Sequence, residues 1–506
     1  MSFLRNLVIL AALAFAAVSS ASEFFVGHMF SDQAQGNAMS HVVFVAEGEL
    51  PQLAQFSDAT NTMLAAAATA KEFTGKYEQT VEVLAPTGLN AERVVLIGLG
   101  DSADLTRAQA EKLGAKLLGM LPKGKSVQVH AHGLDDSHVV AAMAHGMDLK
   151  NYRFDRYKSQ AKTVENPKLT WLVSNVDDVK RHYQDFQALA RGVYTARDIT
   201  NLPGGDGYPQ AIAELARDAV KGLGIKVTIL SPEQVREAGM GSLYGVSKGS
   251  EHKAYLLALQ WQGSQDRPIA LVGKGNTFDT GGYNLKTSSG SILRMQTDKA
   301  GGGAVIGAVM ALAGQKAPVN VVGVVPLSHN LISGSALLPG DVVTAGDGTR
   351  IEVANTDAEG RLILADGIWY ARDKFNPKAI ADIATLTGSK VGALGTAYSA
   401  IFTEHEALLA TMKQAGENTD ELVWQLPLGP YPGIVDSRLA DIKNVGSPGA
   451  QAGARFLQHF AKDTPWIHID MAGNAFSESG KGIHPAGANG YGVRLLTEWV
   501  KLYAEQ

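Results

Sequence analysis

The sequence of 506 residues contains no cysteine. Disulfide bonds, thiolate metal sites and cysteine nucleophiles are therefore excluded. A chain without cysteine is also insensitive to an oxidising compartment. Any catalytic chemistry in this chain must use oxygen and nitrogen side chains.

A block of basic residues is also missing, and the formal net charge is -5. Because the phosphates of a nucleic acid require a positively charged face, we expect no nucleic-acid partner. The rest of the composition, with 45% hydrophobic and 19% charged residues, is typical of a soluble globular protein. At this length a single core is not sufficient, so we expect two domains.

Long apolar runs are scarce, and the one that stands out lies near the amino terminus. Arg5 precedes an apolar run at residues 7–18, and the small residues Ser19, Ser20 and Ala21 follow it. A bilayer-spanning helix needs about 20 residues, so this shorter run is typical of a secretory signal peptide. An uncleaved anchor or a buried helix is the alternative. We expect residues 1–21 to be a signal peptide and the mature protein to be exported, periplasmic or secreted, with no membrane segment.

The remaining chain alternates strand and helix patterns, which predicts an α/β fold in two domains. The smaller, amino-terminal domain is predicted at residues 22–180, with buried strands at 40–46 and 93–99 and a helix at 108–120. A polar stretch at 175–185 leads into a predicted helix at 186–198, where the larger domain of residues 186–506 begins.

The larger domain is predicted to contain a mixed, mostly parallel sheet with helices on both faces. Its predicted strands are 226–230, 254–261, 268–272 and 319–326, and its predicted helices are 209–223, 232–238 and 301–313. In such sheets, functional sites form at the carboxyl ends of the strands.

Three short patterns match known motifs only in part. Gly98-Leu99-Gly100 resembles a dinucleotide fingerprint, but a tight strand-to-helix turn explains it better. Ser247 lies in a Gly-x-Ser-x-Gly pattern, but a serine hydrolase needs a helix directly after it, and the polar residues here favour a flexible turn. His130 and His132 alternate on a predicted strand and could bind a metal, although surface histidines at a strand end are commoner.

Two segments stand apart because they combine charged side chains with glycine and other small residues. In the first, Lys274 ends a buried strand, and Asp279 lies in a Gly-rich loop that leads to Lys286. Asp298 follows, just before Gly301-Gly302-Gly303, where a carboxylate is either a helix cap or a ligand. In the second, Asp357, Glu359 and Arg361 alternate, so an extended backbone would aim all three to one side.

Four carboxylates in one site repel one another, and burying them unpaired is costly. Two divalent cations would neutralise them, as in many hydrolytic two-metal centres. Neither segment contains histidine, which favours an oxygen-rich site for Mn or Mg as well as Zn. The alternative is a surface salt-bridge network between these acids and Lys274, Lys286 and Arg361.

The same segments resemble the leucyl aminopeptidase family, the M17 or cytosol-aminopeptidase type of metallopeptidase. Residues 355–362 (NTDAEGRL) reproduce its signature octapeptide, and residues 274–282 match its metal loop. The likeness covers residues 186–506 and includes the segments 197–203, 339–341, 384–388 and 468–473. The amino-terminal half resembles the family only loosely, as a macro-like α/β domain.

The resemblance implies a role for each matching residue. Asp279 and Glu359 would bridge two divalent ions, Zn or Mn. Asp357 would complete one metal site, and Lys274 with Asp298 would complete the other. Because lysine ligates a metal only as the neutral amine, the cations would have to depress the pKa of Lys274.

The resemblance also implies the catalytic and substrate-binding groups. Lys286 would polarise the scissile carbonyl and stabilise the oxyanion, and Arg361 would hold a bicarbonate ion that acts as general base. Met295, Thr385 and Gly388 would contact substrate. One departure is that Lys286 and Asp298 are one residue further apart than is usual, with the extra residue expected in a loop between Gly290 and Met295. The other is that Lys299 stands where methionine is usual.

The function that follows is removal of amino-terminal residues, leucine and other apolar residues first, from peptides by a metal-activated water. A non-catalytic binding or regulatory protein, and a serine hydrolase using Ser247, are the alternatives. The resemblance further implies a closed homo-oligomer, a hexamer, built around the catalytic domains. The Gly-rich, charge-poor residues 446–453 are compatible with packed interior loops in such an assembly.

Overall fold

The computed structural model describes residues 24–34, 36–160 and 164–506, and the predicted signal peptide lies outside them. The described chain forms two α/β domains, each built on its own sheet. Among the helices of these described residues, none combines the length and the apolar character that crossing a bilayer requires. The expected two-domain α/β architecture is thereby confirmed.

The amino-terminal domain contains a six-stranded sheet in the order β1-β6-β5-β2-β4-β3. Its strands are parallel except for β3, which runs antiparallel to β4. The sheet is buried between helices, and the apolar run of β4 therefore has no solvent-facing side. The elements are β1 His28–Ser31, β2 Ser40–Ala46, α1 Asp58–Ala70, β3 Thr80–Leu84, β4 Arg93–Gly100, α2 Arg107–Leu118, β5 Ser126–His130, α3 Ser137–Asn151 and β6 Lys168–Leu172.

The carboxyl-terminal domain contains a larger, mixed sheet. Its strands are β7 Lys226–Leu230, β8 Tyr255–Gln262, β9 Ile269–Gly273, β10 Gly275–Asp279, β11 Asn320–Asn330, β12 Val342–Thr344, β13 Arg350–Glu352, β14 Ala379–Ala384, β15 Ser399–Phe402, β16 Val423–Gln425, β17 Ile442–Lys443, β18 Trp466–Asp470, β19 Phe476–Ser477 and β20 Gly487–Ala488. The main sheet has the order β16-β15-β18-β14-β9-β11-β8-β7, and β10 also pairs with β11. The central strands β18, β14, β9, β11 and β10 are parallel, as predicted.

Helices cover both faces of this sheet. They are α4 Val176–Asn201, α5 Pro209–Ala219, α6 Pro232–Glu237, α7 Gly241–Ser247, α8 Ser289–Leu293, α9 Ala300–Gly314, α10 Glu359–Phe375, α11 Gly388–Leu394, α12 Glu406–Thr419, α13 Gly449–Ala461 and α14 Val493–Ala504, with a short 3₁₀ helix at Met295–Lys299. The apolar core on one face contains α4, α9 and α14. The core on the other face contains α7, α10 and α13.

Helix α4 connects the two domains. It runs without a break from Val176 to Asn201 and so crosses the boundary predicted at residues 180–186. Its carboxyl-terminal half lies against α9, where Gly192 and Gly307 face each other. A Cβ atom on Gly192 would lie 2.3 Å from the Gly307 carbonyl oxygen, so only glycine permits this approach.

Buried arginines hold the domains together. Arg197 of α4 donates to the carbonyl oxygens of Leu149, Ile483 and Asn489, at 2.7, 3.2 and 3.0 Å. Arg494 of α14 lies 2.8 Å from Glu111 of α2. Both arginines are almost fully buried, so these contacts make a close-packed interface between the domains.

Three local predictions were wrong. Residues 275–279 are strand β10 rather than a loop, because their backbone pairs with the carboxyl-terminal end of β11. Ser247 ends helix α7 instead of lying in a flexible turn. Gly449 to Gly453 form the first turn of α13 rather than a loop.

Candidate metal centre

The site forms where the parallel strands of the large sheet end. Strand β9 ends directly before Lys274, β10 ends at Asp279, and β14 ends directly before Thr385. Because β14, β9, β11 and β10 are neighbours in the sheet, their carboxyl ends bring these side chains together. Asp298 comes from the 3₁₀ helix and Glu359 from the first residue of α10.

Three carboxylates form the centre. Asp279, Asp298 and Glu359 each place a carboxylate oxygen within 4.8 Å of the other two, and all three residues are buried. Among the described residues this is the only group of three acidic or histidine side chains so arranged. Hard divalent cations are bound by such oxygen donors, so the donor set fits a metal site.

Lys274 lies among these carboxylates. Its Nζ is 2.7 Å from Asp298, 2.9 Å from Glu359 and 3.1 Å from the Thr385 carbonyl oxygen. Although burial lowers it, the charges of Asp298 and Glu359 raise the net pKa of Lys274. The depressed pKa implied by the family resemblance therefore requires the positive charge of a bound cation.

Burial and mutual repulsion perturb the acids. Burial, followed by the charges of Glu359 and Asp298, raises the pKa of Asp279 well above its usual value. Burial raises the pKa of Asp298 to about 6. For Glu359, burial is outweighed by Lys274 and Lys286, which lower its pKa. Positive charge beyond that of the two lysines would favour the ionised form of all three acids.

Two asparagines orient the acids and were not predicted as site residues. The Asn276 side-chain amide donates to Asp298 and Glu359, at 3.0 Å each, and Ser328 donates to its carbonyl oxygen at 3.1 Å. Asn330 donates to Asp279 at 2.8 Å. A signal was present at Ser328 and Asn330, which alternate on β11, but the strand was predicted to end at residue 326.

Asp357 lies at the edge of the centre. Its side chain remains 32% exposed and it is outside the close group of three acids. Lys286 connects it to the centre, since its Nζ pairs with Asp357 and lies 2.7 Å from Asp279. Burial lowers the pKa of Lys286, but the charges of Asp279 and Glu359 raise it by more. The net pKa is therefore raised, and the ammonium form is favoured.

The predicted alternation of Asp357, Glu359 and Arg361 was wrong. Glu359 begins a helix, so Glu359 and Arg361 share a helical turn rather than one side of an extended chain. Glu359 nevertheless reaches the metal centre, because helix α10 begins beside Lys274. A Cβ atom on Gly360 would lie 2.4 Å from Cε of Lys274, so glycine is required for this close approach.

Arg361 presents an incompletely satisfied guanidinium group. It is 7% exposed, and Nη1 donates to the Asn444 carbonyl oxygen at 2.8 Å. Its Nε is buried and has no hydrogen-bond partner among the described residues. Burial lowers the pKa of Arg361 to about 10, yet the group stays charged at neutral pH. A small oxyanion would give this unused Nε donor a partner.

The predicted substrate residues lie in three different surroundings. The Thr385 hydroxyl donates to Asp298 at 2.8 Å, so this residue supports a carboxylate of the centre directly. Met295 is half-buried at the start of the 3₁₀ helix. Gly388 is exposed at the start of α11. Their contacts with substrate stay a prediction.

The departures from the family pattern leave the carboxylates in place. Lys299 is buried and points to main-chain oxygens, with Nζ 2.8 Å from Leu202, 3.2 Å from Thr277 and 2.5 Å from Gln296. Burial lowers the pKa of Lys299 to about 7. The segment expected to hold the extra residue in a loop instead contains the short helix α8, of which Leu293 is 74% exposed.

The competing motifs do not form sites of their own. Ser247 is fully buried, and its hydroxyl accepts a hydrogen bond from the His329 main-chain nitrogen at 2.9 Å. A buried, engaged hydroxyl cannot meet a substrate carbonyl. Within the described residues, His130 and His132 are not part of a group of three close metal-ligating side chains.

Comparison with known proteins decides the family. Residues 194–497 match the catalytic domain of the cytosol aminopeptidase family, and residues 42–161 match its N-terminal domain. The chain belongs to the cytosol aminopeptidase family. As a member, it is a metal-dependent aminopeptidase, and the expected enzyme class is confirmed.

Individual relatives are similar over nearly the whole chain. The probable cytosol aminopeptidase 1 of Shewanella oneidensis is 44% identical over 87% of this chain and 89% of its own length. A probable cytosol aminopeptidase of Rhizobium etli is 38% identical over 94% of this chain and 98% of its own. The solved structure of the bottromycin maturation enzyme BotP in complex with Mn has 30% identity and a TM-score of 0.80, covering 92% of this chain and 99% of that one.

Proposed function

We propose that this aminopeptidase releases leucine and other apolar residues from the amino ends of peptides with a pair of divalent ions. The observation that carries this proposal is the buried cluster of Asp279, Asp298 and Glu359, with Lys274 among them. Three buried carboxylates repel one another even beside two lysines, and divalent cations would supply the positive charge that neutralises them.

Asp279 and Glu359 are proposed as ligands shared by both ions. Asp357 completes one site, while Lys274 and Asp298 complete the other. The ions would be Zn or Mn, and they supply Lewis acidity and a water nucleophile at neutral pH. The oxygen-rich donors suit either metal, and the related BotP was solved with Mn.

Lys286 is proposed to stabilise the oxyanion of the substrate. Its ammonium group lies at the edge of the centre, where its side chain is 15% exposed, between Asp279 and Asp357. A lysine there can donate a hydrogen bond to a peptide carbonyl oxygen as negative charge develops on it. The buried Arg361 is proposed to hold bicarbonate, which would supply a general base there.

The pocket for the first residue of the peptide is proposed at Met295, Thr385 and Gly388. Met295 supplies an adaptable apolar side chain. Gly388 offers open space, since a Cβ atom there would meet nothing within 4 Å. This combination accounts for the proposed preference for apolar amino-terminal residues.

The function can be tested with one pair of glutamates. Glu359→Gln should abolish hydrolysis of leucine amide and reduce the metal content, because a buried shared ligand loses its charge. Glu406→Gln is the matched control, since Glu406 also begins a helix but is exposed. Metal analysis and a panel of aminoacyl amides, with and without chelator, give the readouts. Normal turnover with two metals in Glu359→Gln would exclude this centre.

We also propose export to the periplasm or the medium, with cleavage after Ala21. The support is the short apolar run at residues 7–18 with Arg5 before it. Fractionation of cells that produce the full chain, with amino-terminal sequencing of the product, tests this proposal. Full-length protein in the cytoplasm would contradict it.

A homohexamer built through the catalytic domains is the proposed assembly. Exposed large apolar side chains are more numerous in that domain, and they include Leu293 at 74%, Leu439 at 62% and Trp424 at 56% exposure. Exposed apolar surface of this kind is typical of protein interfaces. Sedimentation of the active enzyme tests the assembly, and an active monomer would refute it.

A further inference from the structure

Strand β10 contains an extra residue where it passes the metal centre. Asn276 pairs with Ser328 of β11, and the next pair joins Asp279 to Asn330. Between these pairs, two residues of β10 lie opposite a single residue of β11. This arrangement is a β-bulge, which bends a strand and redirects the side chains beside it.

The bulge places two residues of the centre on the same side of β10. Side chains alternate along a regular strand, so Asn276 and Asp279, which are three apart, would point to opposite faces. Here both reach the centre. The Asn276 amide donates to Asp298 and Glu359, at 3.0 Å each. A carboxylate oxygen of Asp279 lies within 4.8 Å of one from each of the same two acids. Without the extra residue, one of the two side chains would leave the centre.

The ammonium group of Lys299 joins the bulge to two other segments. Its Nζ donates to three carbonyl oxygens, which belong to Thr277 in the bulge at 3.2 Å, Leu202 after α4 at 2.8 Å and Gln296 in the 3₁₀ helix at 2.5 Å. Lys299 directly follows Asp298 in the chain. One side chain therefore connects the bulge with the turn that carries a proposed metal ligand.

A second side-chain hydrogen bond holds the same residue of the bulge. The Thr277 hydroxyl donates to the Ser328 carbonyl oxygen at 2.8 Å. Both Thr277 and Lys299 are fully buried, so water cannot replace either contact. The conformation of the bulge therefore depends on these two side chains.

Packing alone does not account for a lysine at this position. Lysine is almost never fully buried unless it is paired, and the hydrogen-bond partners of Lys299 among the described residues are all main-chain oxygens. Methionine has an unbranched chain of similar length and would fill the space without the cost of burying a charge. What methionine lacks is the three N–H donors.

We propose that Lys299 is a positioning residue of the metal centre. Its ammonium group holds the bulge that turns Asn276 and Asp279 to one side, and it fixes this bulge against the turn that carries Asp298. Residues that orient metal ligands in this way typically contribute about 10–100-fold to metal affinity. The inference rests on the two-ion centre proposed above, and it adds a residue that does not touch the ions.

Lys299→Met tests the proposal, because it keeps an unbranched chain in the buried space and removes the donors. Lys390→Met is the matched control. Lys390 is also fully buried, and its Nζ donates to the carbonyl oxygens of Gly395 and Ala472, at 3.0 and 2.9 Å, outside β10 and the 3₁₀ helix. The metal-free enzymes are titrated with Mn²⁺ at one fixed pH. We expect the affinity to fall about tenfold or more in Lys299→Met and to be unchanged in Lys390→Met.

Hydrogen exchange of the metal-free enzymes, followed by mass spectrometry, tests the bulge directly. In Lys299→Met, the amides of residues 275–281 should exchange about fivefold faster or more, because the bulge loses one of two side-chain hydrogen bonds. In Lys390→Met they should exchange as in the wild type. This readout needs no metal. If the wild-type enzyme bound no Mn²⁺ at this centre, the two-ion proposal would fail, and the exchange rates would still decide the role of Lys299.

Thr277→Val provides a test of coupling, since it keeps the volume of the side chain and removes the bond to Ser328. Because Lys299 and Thr277 hold the same part of β10, the double variant should lose more Mn²⁺ affinity than the product of the two single losses. A lysine that contributes only to overall stability would give the plain product, and this result would overturn the proposal.

Two results for a folded Lys299→Met enzyme would also overturn it. One is unchanged exchange in β10, and the other is unchanged affinity for Mn²⁺ that the wild type binds. If Lys299→Met does not fold, Thr277→Val alone decides. It should then weaken Mn²⁺ binding and speed exchange at the same residues, and wild-type behaviour in both measurements would refute the role of the bulge.

Discussion

Replacing Asn276 with leucine tests how far the metal centre depends on residues that do not touch the metal. The change keeps the size of the side chain but removes both amide hydrogen bonds, to Asp298 and to Glu359. Asn276 is fully buried, so water cannot substitute for the lost donor. The two carboxylates would then lose one of the groups that orient them toward a metal.

The expected effect can be bounded from the contacts. A hydrogen bond to a charged group is worth about 1.5–3 kcal/mol, so two such bonds set an upper limit of about 6 kcal/mol. Lys274 remains on both carboxylates, and neither is left unpaired. We therefore expect an effect well below this limit. Metal affinity should fall by about 10–100-fold, as is usual when a residue that hydrogen-bonds to a metal ligand is lost.

The assay is a metal titration of the metal-free enzyme, followed by activity at saturating metal. Turnover should recover to within a few-fold of the wild type when enough metal is present, because the ligands themselves are unchanged. Asn320→Leu is the matched control, because Asn320 begins β11, away from the metal centre, and its amide donates to the Asp266 carbonyl oxygen. Unchanged metal affinity in a folded Asn276→Leu enzyme would refute this account of the asparagine.

Three further predictions each concern one residue and a matched control. Gly360→Ala should displace Lys274 and lower both metal content and activity, whereas Gly334→Ala, where a Cβ atom meets nothing within 4 Å, should have no effect on metal analysis. Lys286→Met should retain metal and lose about 10²–10³ in kcat, as loss of one oxyanion contact does. Lys248→Met, which loses only a pair with Asp341, is the kinetic control. Arg494→Met should cost about 3–5 kcal/mol in urea unfolding, because it removes the arginine that pairs with the buried Glu421 and one of the two arginines that pair with the buried Glu111. The exposed Arg217→Met should unfold like the wild type.

The sequence predicted the elements of the large sheet well, because its strands are buried on both faces. Strands such as β9 are continuous apolar runs bounded by polar residues, and this pattern leaves little room for another assignment. Where polar residues belong to a strand, the prediction failed. The backbone of β10 pairs with β11 through Asn276 and Asp279. The local amino-acid composition does not predict this long-range pairing.

The candidate site was partly predictable for a related reason. Lys274, Asp279 and Asp298 lie in or beside Gly-rich segments with few charges, Glu359 lies in the octapeptide that matches the family signature, and the structure brings these four together. Asn276 and Asn330 are neutral, and their importance follows only from which carboxylates they contact. The single-sequence argument also could not find that Glu359 begins a helix, because its neighbours have the same alternation as an extended strand.

Helix α4 imposes a constraint that a flexible linker would not. It runs unbroken from Val176 to Asn201, and its later part meets α9 at the Gly192–Gly307 contact. An α-helix turns about 100° and rises about 1.5 Å for each residue. A one-residue insertion ahead of Gly192 would therefore turn the amino-terminal domain by about that angle relative to the catalytic domain, and Arg197 could no longer reach Leu149. The number of residues in this helix is thus fixed by the contacts at both of its halves, and an insertion between the domains should be tolerated only outside it.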